Sequence, residues 1–207
     1  MQEYKTAQEA FWANEFGNDY IGRNQGDQLL ASNLHFFSKA LQRAGKVNSC
    51  LEFGANIGMN LKALRLLYPG IQLTGIEINE QAATELKGLI GDSNVVHGSV
   101  FDSSFTQHAE LSLIKGVLIH INPEMLPVVY EKLYQASTRY ILVAEYYNPQ
   151  PVALNYRGYE ERLFKRDFAG ELLEKYSDLQ LVDYGFAYRK DPAFPQDDIT
   201  WFLLEKK

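Results

Sequence analysis

The chain has 207 residues, 46% hydrophobic and 22% charged, and its 20 basic against 26 acidic side chains leave a formal charge of −6. That composition suits one globular domain, and the acidic balance speaks against a dedicated nucleic-acid binder or a polybasic membrane attachment. The single cysteine, Cys50, excludes an internal disulfide and a cysteine-rich zinc site.

In chain order, the opening MQEYKTAQEAFW has no basic segment leading into an apolar stretch, and no apolar run approaches the roughly 20 residues of a membrane span. The expectation is a cytoplasmic protein. Phe11, Trp12, Phe16 and Tyr20 form an aromatic cluster that reads either as a lid over a ligand or as an anchor to the core, with the anchor favoured for Phe16. Arg23, charged within this apolar stretch, implies pairing with a carboxylate of a ligand or with an acid such as Asp19. A helix is predicted over 28–44, stopped by Gly45, and a strand over Val47–Phe53. Then follow a helix over Met59–Tyr68, a strand over Ile71–Glu77, a helix capped by Asn79 that runs to Ile90, and strands over Asn94–His97 and Leu111–Lys115. Pro123 opens a helix to Ala136, and Arg139–Tyr146 is a fifth strand. Past Glu145 the rhythm changes to a loop (YYNPQPVALNYRGY), and EERLFKR, Glu160–Arg166, reads as a solvated helical face. A helix near Asp167–Tyr176 and two β-like runs, Leu179–Tyr188 and Ile199–Leu204, close the chain as an antiparallel pair. The alternation predicts an α/β fold, a seven-stranded mostly parallel sheet with helices on both faces. A single domain is expected over 1–207: a helical N-terminal lid (1–45), a cofactor-binding half (46–146) and a substrate-side segment with the terminal strands (147–207).

The chemistry concentrates where the first strand runs into EFGANIG. Glycines at a strand-to-helix turn allow a tight bend and close approach of a ligand. Glu77 ends the second strand, 19 positions after Gly58, where an acid accepts hydrogen bonds from ribose hydroxyls. The pattern E-x-G-x-N-x-G differs from the dinucleotide G-x-G-x-x-G, and Glu52 would repel a pyrophosphate while attracting an ammonium group. S-adenosylmethionine has an α-amino group, a ribose and an adenine without phosphate, and so suits these charges.

EFGANIG, Glu77, HGSVFD (97–102) and KGVLIHINPE (115–124) resemble the class I S-adenosylmethionine-dependent methyltransferases over about 47–146. FWANEFGNDYIGRN, ILVAEYYNP and DPAFPQDDITWFLLEK extend a narrower resemblance over essentially the whole chain, to the methyltransferase family associated with pseudaminic acid biosynthesis. The resemblance implies a Rossmann-like sheet, N- or O-methylation of a nonulosonic (pseudaminic-type) sugar or precursor, and S-adenosylhomocysteine as product. By that resemblance Glu52 anchors the methionine amine, directly or through water, and Gly54, Ala55 and Gly58 form the loop beneath the cofactor. Glu77 holds the ribose, Ile78 packs on the adenine, and Ser99 and Val100 meet its edge, Ser99 standing where many class I enzymes have Asp. Asn56 replaces the loop's central glycine, and Asn is among the residues best able to adopt positive φ. Its amide is also within the range of roles for touching the cofactor's carboxylate. Asn60, Lys115, Gly116 and Val117, with Trp12, Tyr20 and Arg23 from the lid, complete the expected cofactor set.

For the acceptor, His120 is a candidate general base, or alternatively a backbone partner in the turn before Pro123. Glu145, Tyr146 and Tyr147 end the fifth strand on the ligand edge of such a sheet; Glu145 is expected as a base or substrate contact, or in an ion pair within 156–166. Tyr156–Arg157 and Tyr188–Arg189 set aromatic faces beside guanidiniums, which suits a sugar acid or a protein surface. His35 is expected to be structural and His97 and His108 to be ordinary surface or strand-end residues, and scattered histidines with one cysteine predict no metal. The partner expected is a small molecule, not nucleic acid or membrane; methylation of a protein and cofactor binding without catalysis are the alternatives.

Overall fold

A computed structural model of the chain describes residues 4–22, 24–102, 107–156 and 159–207. Three helices, α1 (Ala7–Ala13), α2 (Glu15–Ile21) and α3 (Asp27–Ala40), precede the sheet. α1 opens with a capping box: the Glu9 amide donates to the Thr6 hydroxyl while the Glu9 carboxylate accepts from the Thr6 amide. Then come β1 (Ser49–Phe53), α4 (Met59–Leu67), β2 (Gln72–Glu77), α5 (Glu80–Ile90), β3 (Val95–His97) and β4 (Ala109–Lys115). The chain continues with α6 (Leu126–Ala136), β5 (Ser137–Glu145), β6 (Val152–Tyr156), β7 (Tyr159–Lys165), α7 (Phe168–Lys175), β8 (Leu179–Ala187) and β9 (Ile199–Lys206).

Seven strands form one sheet in the order β3-β2-β1-β4-β5-β9-β8. The first five run parallel, and β9 is antiparallel to both β5 and β8, as the closing pair of β-like runs predicts. The central strands are apolar on both faces because helices cover both. Leu111, Leu113 and Leu142 pack with Phe37 and Leu61 on the α3–α4 side; Leu51, Ile114 and Ile141 pack with Val129 and Phe168 on the α6–α7 side. Strand order reverses between β1 and β4, and open α/β sheets have their crevice at the carboxyl ends of strands at such a switch point.

One stretch departs from expectation. EERLFKR is not a helical face: it belongs to β7, which pairs antiparallel with β6 in a separate two-stranded ribbon, with Leu154 opposite Leu163 and Val152 opposite Lys165. Charged residues dominate this run and obscure its strand periodicity. The supposed loop before it supplies the partner strand. Leu163 is only 6% exposed and packs with the α6–α7 core. Leu163→Ala is therefore expected to lower unfolding free energy by about 2–5 kcal/mol in urea titration, the usual cost of truncating a buried leucine; a solvated helix would give almost none.

Candidate functional site

The turn after β1 is built as its glycines require. The Gly54 and Ala55 amides both donate to the Ile76 carbonyl at 2.9 Å, tying the turn to β2. Gly54 has φ +74°, and a β-carbon there would lie 2.6 Å from Val117 Cγ2. Asn56 adopts φ +48°, and its Oδ1 accepts from the Ile57 amide at 2.8 Å. The positive φ expected of this asparagine is present; the side chain turns to its own backbone.

Glu77 is buried at the end of β2, and its two carboxylate oxygens accept from the Asn56 and Asn79 amides, each at 2.7 Å. It thereby joins the turn to the start of α5. Burial pushes its pKa up and these backbone donors pull it back. Asn79 caps α5 through Ala82 at 3.0 Å, while its Nδ2 donates to Asn18 Oδ1 at 2.7 Å and to the Ala13 carbonyl at 3.3 Å. One asparagine thus connects the surroundings of Glu77 with α1 and α2.

Glu52, 0% exposed on β1, does not itself line the crevice, but its hydrogen-bond partner Asn60 does. Its Oε1 accepts from Asn60 Nδ2 at 2.6 Å, whereas Oε2 is buried with no hydrogen-bond partner among the described residues. Burial raises its pKa to about 8; the Asn60 donor and Lys115 oppose the rise and Glu77 adds to it. On the neighbouring strand β4, Lys115 lies over the Phe36 ring at 5.5 Å. Burial lowers its pKa against the pull of Glu52, Asp197 and Glu145, and it makes no salt bridge with any described residue. An acid short of a donor and a cation short of an anion therefore stand at one end of the site.

Next to them opens a crevice enclosing about 1200 Å³, part of it continuous with solvent. Trp12, Tyr20, Gly54, Ala55, Asn56, Asn60, Glu77, Ile78, Ser99, Val100, Lys115, Gly116, Val117 and His120 all line it, so the expected cofactor set converges apart from Glu52 and Gly58. Gly58, at φ +85°, starts α4 instead, where a β-carbon would meet Leu86 and Leu89 side-chain carbons. Arg23 and Arg157 lie outside the described residues, as does the side chain of Tyr156. α1 and α2 form one wall, to which Trp12 and Tyr20 of the aromatic cluster belong: Trp12 lies 4.7 Å from His120 and 5.2 Å from Tyr20, and Phe16 stacks on Phe11 at 4.1 Å.

Residues expected on the acceptor side mostly stand elsewhere. Glu145 does not line the crevice and makes no ion pair in 156–166 among the described residues. Its Oε1 accepts from the Val117 and Leu118 amides at 2.9 Å, and its Oε2 from the Ile119 amide at 3.4 Å. Burial raises its pKa to about 7, with the three amides and Lys115 opposing. It holds the turn that carries His120, rather than touching the crevice itself. Tyr146 lies 5.3 Å from Lys165 Nζ, and Tyr147 is exposed with its ring 5.9 Å from Phe202. Tyr188 is exposed, and Arg189 Nε pairs with Asp198 Oδ2 at 3.3 Å. The reason is strand order: β8 is the sheet edge, four strands or about 19 Å from β1. His35 stacks on Phe194, and His108, exposed at the surface as expected, has Nδ1 2.9 Å from the Gln135 carbonyl.

Sequence reasoning missed several lining contributors, Glu9, Asn33 and Asn79 among them. Glu9 was legible as the last residue of a T-x-x-E capping signature, though its reach to the crevice was not. Asn33 lines the crevice and accepts from Gln196 Nε2 at 2.9 Å, a buried pair between helix and loop 163 positions apart that no local pattern announces. Asn79 was read as a cap, without its bonds to α2.

No protein-family model and no curated protein matches the chain. Among solved structures it is similar to the 1,6-didemethyltoxoflavin-N1-methyltransferase of Burkholderia thailandensis, solved with 1,6-didemethyltoxoflavin and S-adenosylhomocysteine: TM-score 0.70, 14% identity, 100% of this chain and 93% of that one. It is also similar to the magnesium protoporphyrin IX methyltransferase of Synechocystis PCC 6803 with bound S-adenosylhomocysteine (0.69, 12%, 97% and 100%). The mitomycin 7-O-methyltransferase matches at TM-score 0.69 and 15% identity over 98% of this chain, which spans 61% of that protein's length. These likenesses establish the fold: an α/β Rossmann-like methyltransferase architecture.

Proposed function

We propose that the chain is an S-adenosylmethionine-dependent methyltransferase acting on a small-molecule acceptor. The observation that carries this reading is the juxtaposition, on neighbouring strands, of Glu52, whose Oε2 is unpartnered and whose partner Asn60 lines the crevice, with Lys115, which lines the crevice and makes no salt bridge among the described residues. An amino-acid zwitterion complements both: its ammonium suits the acid and its carboxylate suits the lysine. A diphosphate offers no cation to Glu52. Glu77 accepts ribose hydroxyls with the lone pairs its two backbone amides leave. The bound methyltransferase neighbours, solved with S-adenosylhomocysteine, support the same cofactor.

The cofactor, when bound, supplies a sulfonium-activated methyl group. The chain's own work is alignment, exclusion of water and handling of the acceptor's proton. Trp12 and Tyr20 line the crevice with aromatic faces suited to shielding a bound ligand from water. His120, buried beside Trp12, takes the proton on an imidazole nitrogen from an acceptor hydroxyl as its oxygen attacks the methyl carbon and the carbon–sulfur bond breaks to release S-adenosylhomocysteine; from an ammonium acceptor it takes the proton first, so that the neutral amine attacks. The blocks flanking the fold's core extend the proposal to a nonulosonic, pseudaminic-type sugar or precursor as acceptor.

The test is calorimetry with S-adenosylhomocysteine, followed by a turnover assay over sugar acids and other small acceptors. His120→Ala is expected to lower turnover about 10²–10⁴-fold, the usual contribution of a general base, with cofactor affinity changed less than threefold. Undiminished turnover at saturating acceptor would remove His120 from the mechanism.

A further inference from the structure

We infer that Glu9, carried by the lid helix α1, reads the exocyclic amine of the cofactor's adenine, so that base recognition belongs to the lid and not to the sheet. The inference rests on the methyltransferase reading above and deepens it.

Sheet order sets where each part of the cofactor lies. The amino-acid end belongs over β1 and β4, where Glu52 and Lys115 stand, and the ribose belongs at Glu77 on β2. The remaining part, the base, must then extend over β3, the strand beyond β2. That end of the crevice is walled by Ile78, by Gly98–Phe101 following β3, and by Thr6 and Glu9 of the lid. Adenine presents a donor there, its six-position amine, which calls for an acceptor. Ser99, the sheet's nearest side chain, is already committed: its hydroxyl donates to Glu9 Oε1 and accepts from the Phe101 amide at 3.0 Å. Glu9 is the acidic side chain lining this end, 8% exposed and an acceptor through both oxygens.

Its posture is fixed from three sides. Oε2 accepts from the Lys5 and Thr6 amides, the latter at 3.1 Å, and so closes the capping box of α1. Oε1 accepts from Ser99 and keeps one lone pair for a further donor. The side chain that starts the lid helix is therefore the same one that faces the base. An amino group at position six of the purine adds a bond to this carboxylate; a six-oxo group sets oxygen against oxygen. The consequence is specificity together with coupling: binding of an adenine nucleoside fastens α1, whereas a hypoxanthine nucleoside does not.

The experiment compares S-adenosylhomocysteine with S-inosylhomocysteine, its six-oxo counterpart, by calorimetry on the full chain. The wild-type protein is expected to prefer the adenine compound by at least tenfold. Glu9→Gln keeps the capping box, since Gln also serves there, and offers an amide that can donate to a six-oxo group; the preference should narrow to threefold or less. Ser99→Ala, which leaves the carboxylate in place, should retain the preference. In hydrogen exchange, S-adenosylhomocysteine should slow amide exchange in α1 of the wild type more than S-inosylhomocysteine does. A preference unchanged in Glu9→Gln, or lost in Ser99→Ala alone, or absent from the wild type, overturns the assignment of Glu9 while leaving the cofactor reading intact. A wild-type protein that binds neither compound overturns both.

Discussion

Glu52→Gln is expected to weaken S-adenosylhomocysteine binding by about 1.5–3 kcal/mol, the range of a hydrogen bond to a charged group, or roughly 10- to 150-fold. The same change should abolish a distinctive pH dependence. With a pKa raised to about 8, the free protein holds Glu52 protonated at neutral pH. Pairing with an ammonium requires the carboxylate, so binding at pH 6.5 should release a proton, and affinity should climb as pH rises toward 8. Stability runs the other way. An acid whose folded pKa lies above its unfolded value leaves the native state holding more protons, so its contribution falls as pH rises between about 4.5 and 8. Glu52→Gln removes that penalty, and the ligand-free variant should melt no lower than the wild type at pH 8.5. Calorimetry in buffers of different ionisation enthalpy measures the released proton, and thermal melts across pH measure the rest. Equal proton release by both proteins would detach the ammonium from Glu52.

Glu145→Ala should cost about 3 kcal/mol or more of folding free energy. The truncation strips acceptors from the Val117, Leu118 and Ile119 amides at once, and each buried donor left unpaired costs about 1–3 kcal/mol. Glu145→Gln keeps one acceptor oxygen and should lose only about 1 kcal/mol. Turnover then separates the two roles open to this residue. If Glu145 only steadies the turn bearing His120, Glu145→Gln keeps turnover within about tenfold, with the acceptor's apparent KM changed more than kcat. If the carboxylate were the base, the conservative variant would lose the 10²–10⁴-fold that such a group supplies. Denaturant titration and steady-state kinetics on the same preparations decide it.

The contrast between these two acids illustrates what a sequence can disclose. The place of Glu52 was legible because it follows from local pattern: an acid two residues before a glycine turn, at the end of a strand whose apolar run and helical sequel are local signals. Glu77 and the positive φ of Asn56 were legible for the same reason. Glu145 was not, since its partners are backbone amides 26 to 28 positions earlier, and a backbone amide carries no side-chain signature. The β6–β7 ribbon was missed because charge is dense along β7. Tyr188 and Arg189 suited a sugar acid or a protein surface by side-chain chemistry alone, and chain order does not tell that β9 inserts between β5 and the strand they follow. The contacts of the lid, Ser99 with Glu9 and Asn79 with Asn18, join segments 90 and 61 positions apart and depend on the finished fold.

That same insertion bears on how the molecule is made. β9 follows β8 in the chain yet lies between β8 and β5, with Leu203 and Leu204 fully enclosed. A nascent polypeptide that has emerged only as far as β8 therefore offers β5 as a naked border and β8 as a ribbon without a neighbour. Its ligand crevice is already encoded while its sheet cannot yet close. During translation this interval is the one in which holding chaperones would find the most to grip, and in which a stalled ribosome would yield a sticky, incomplete product.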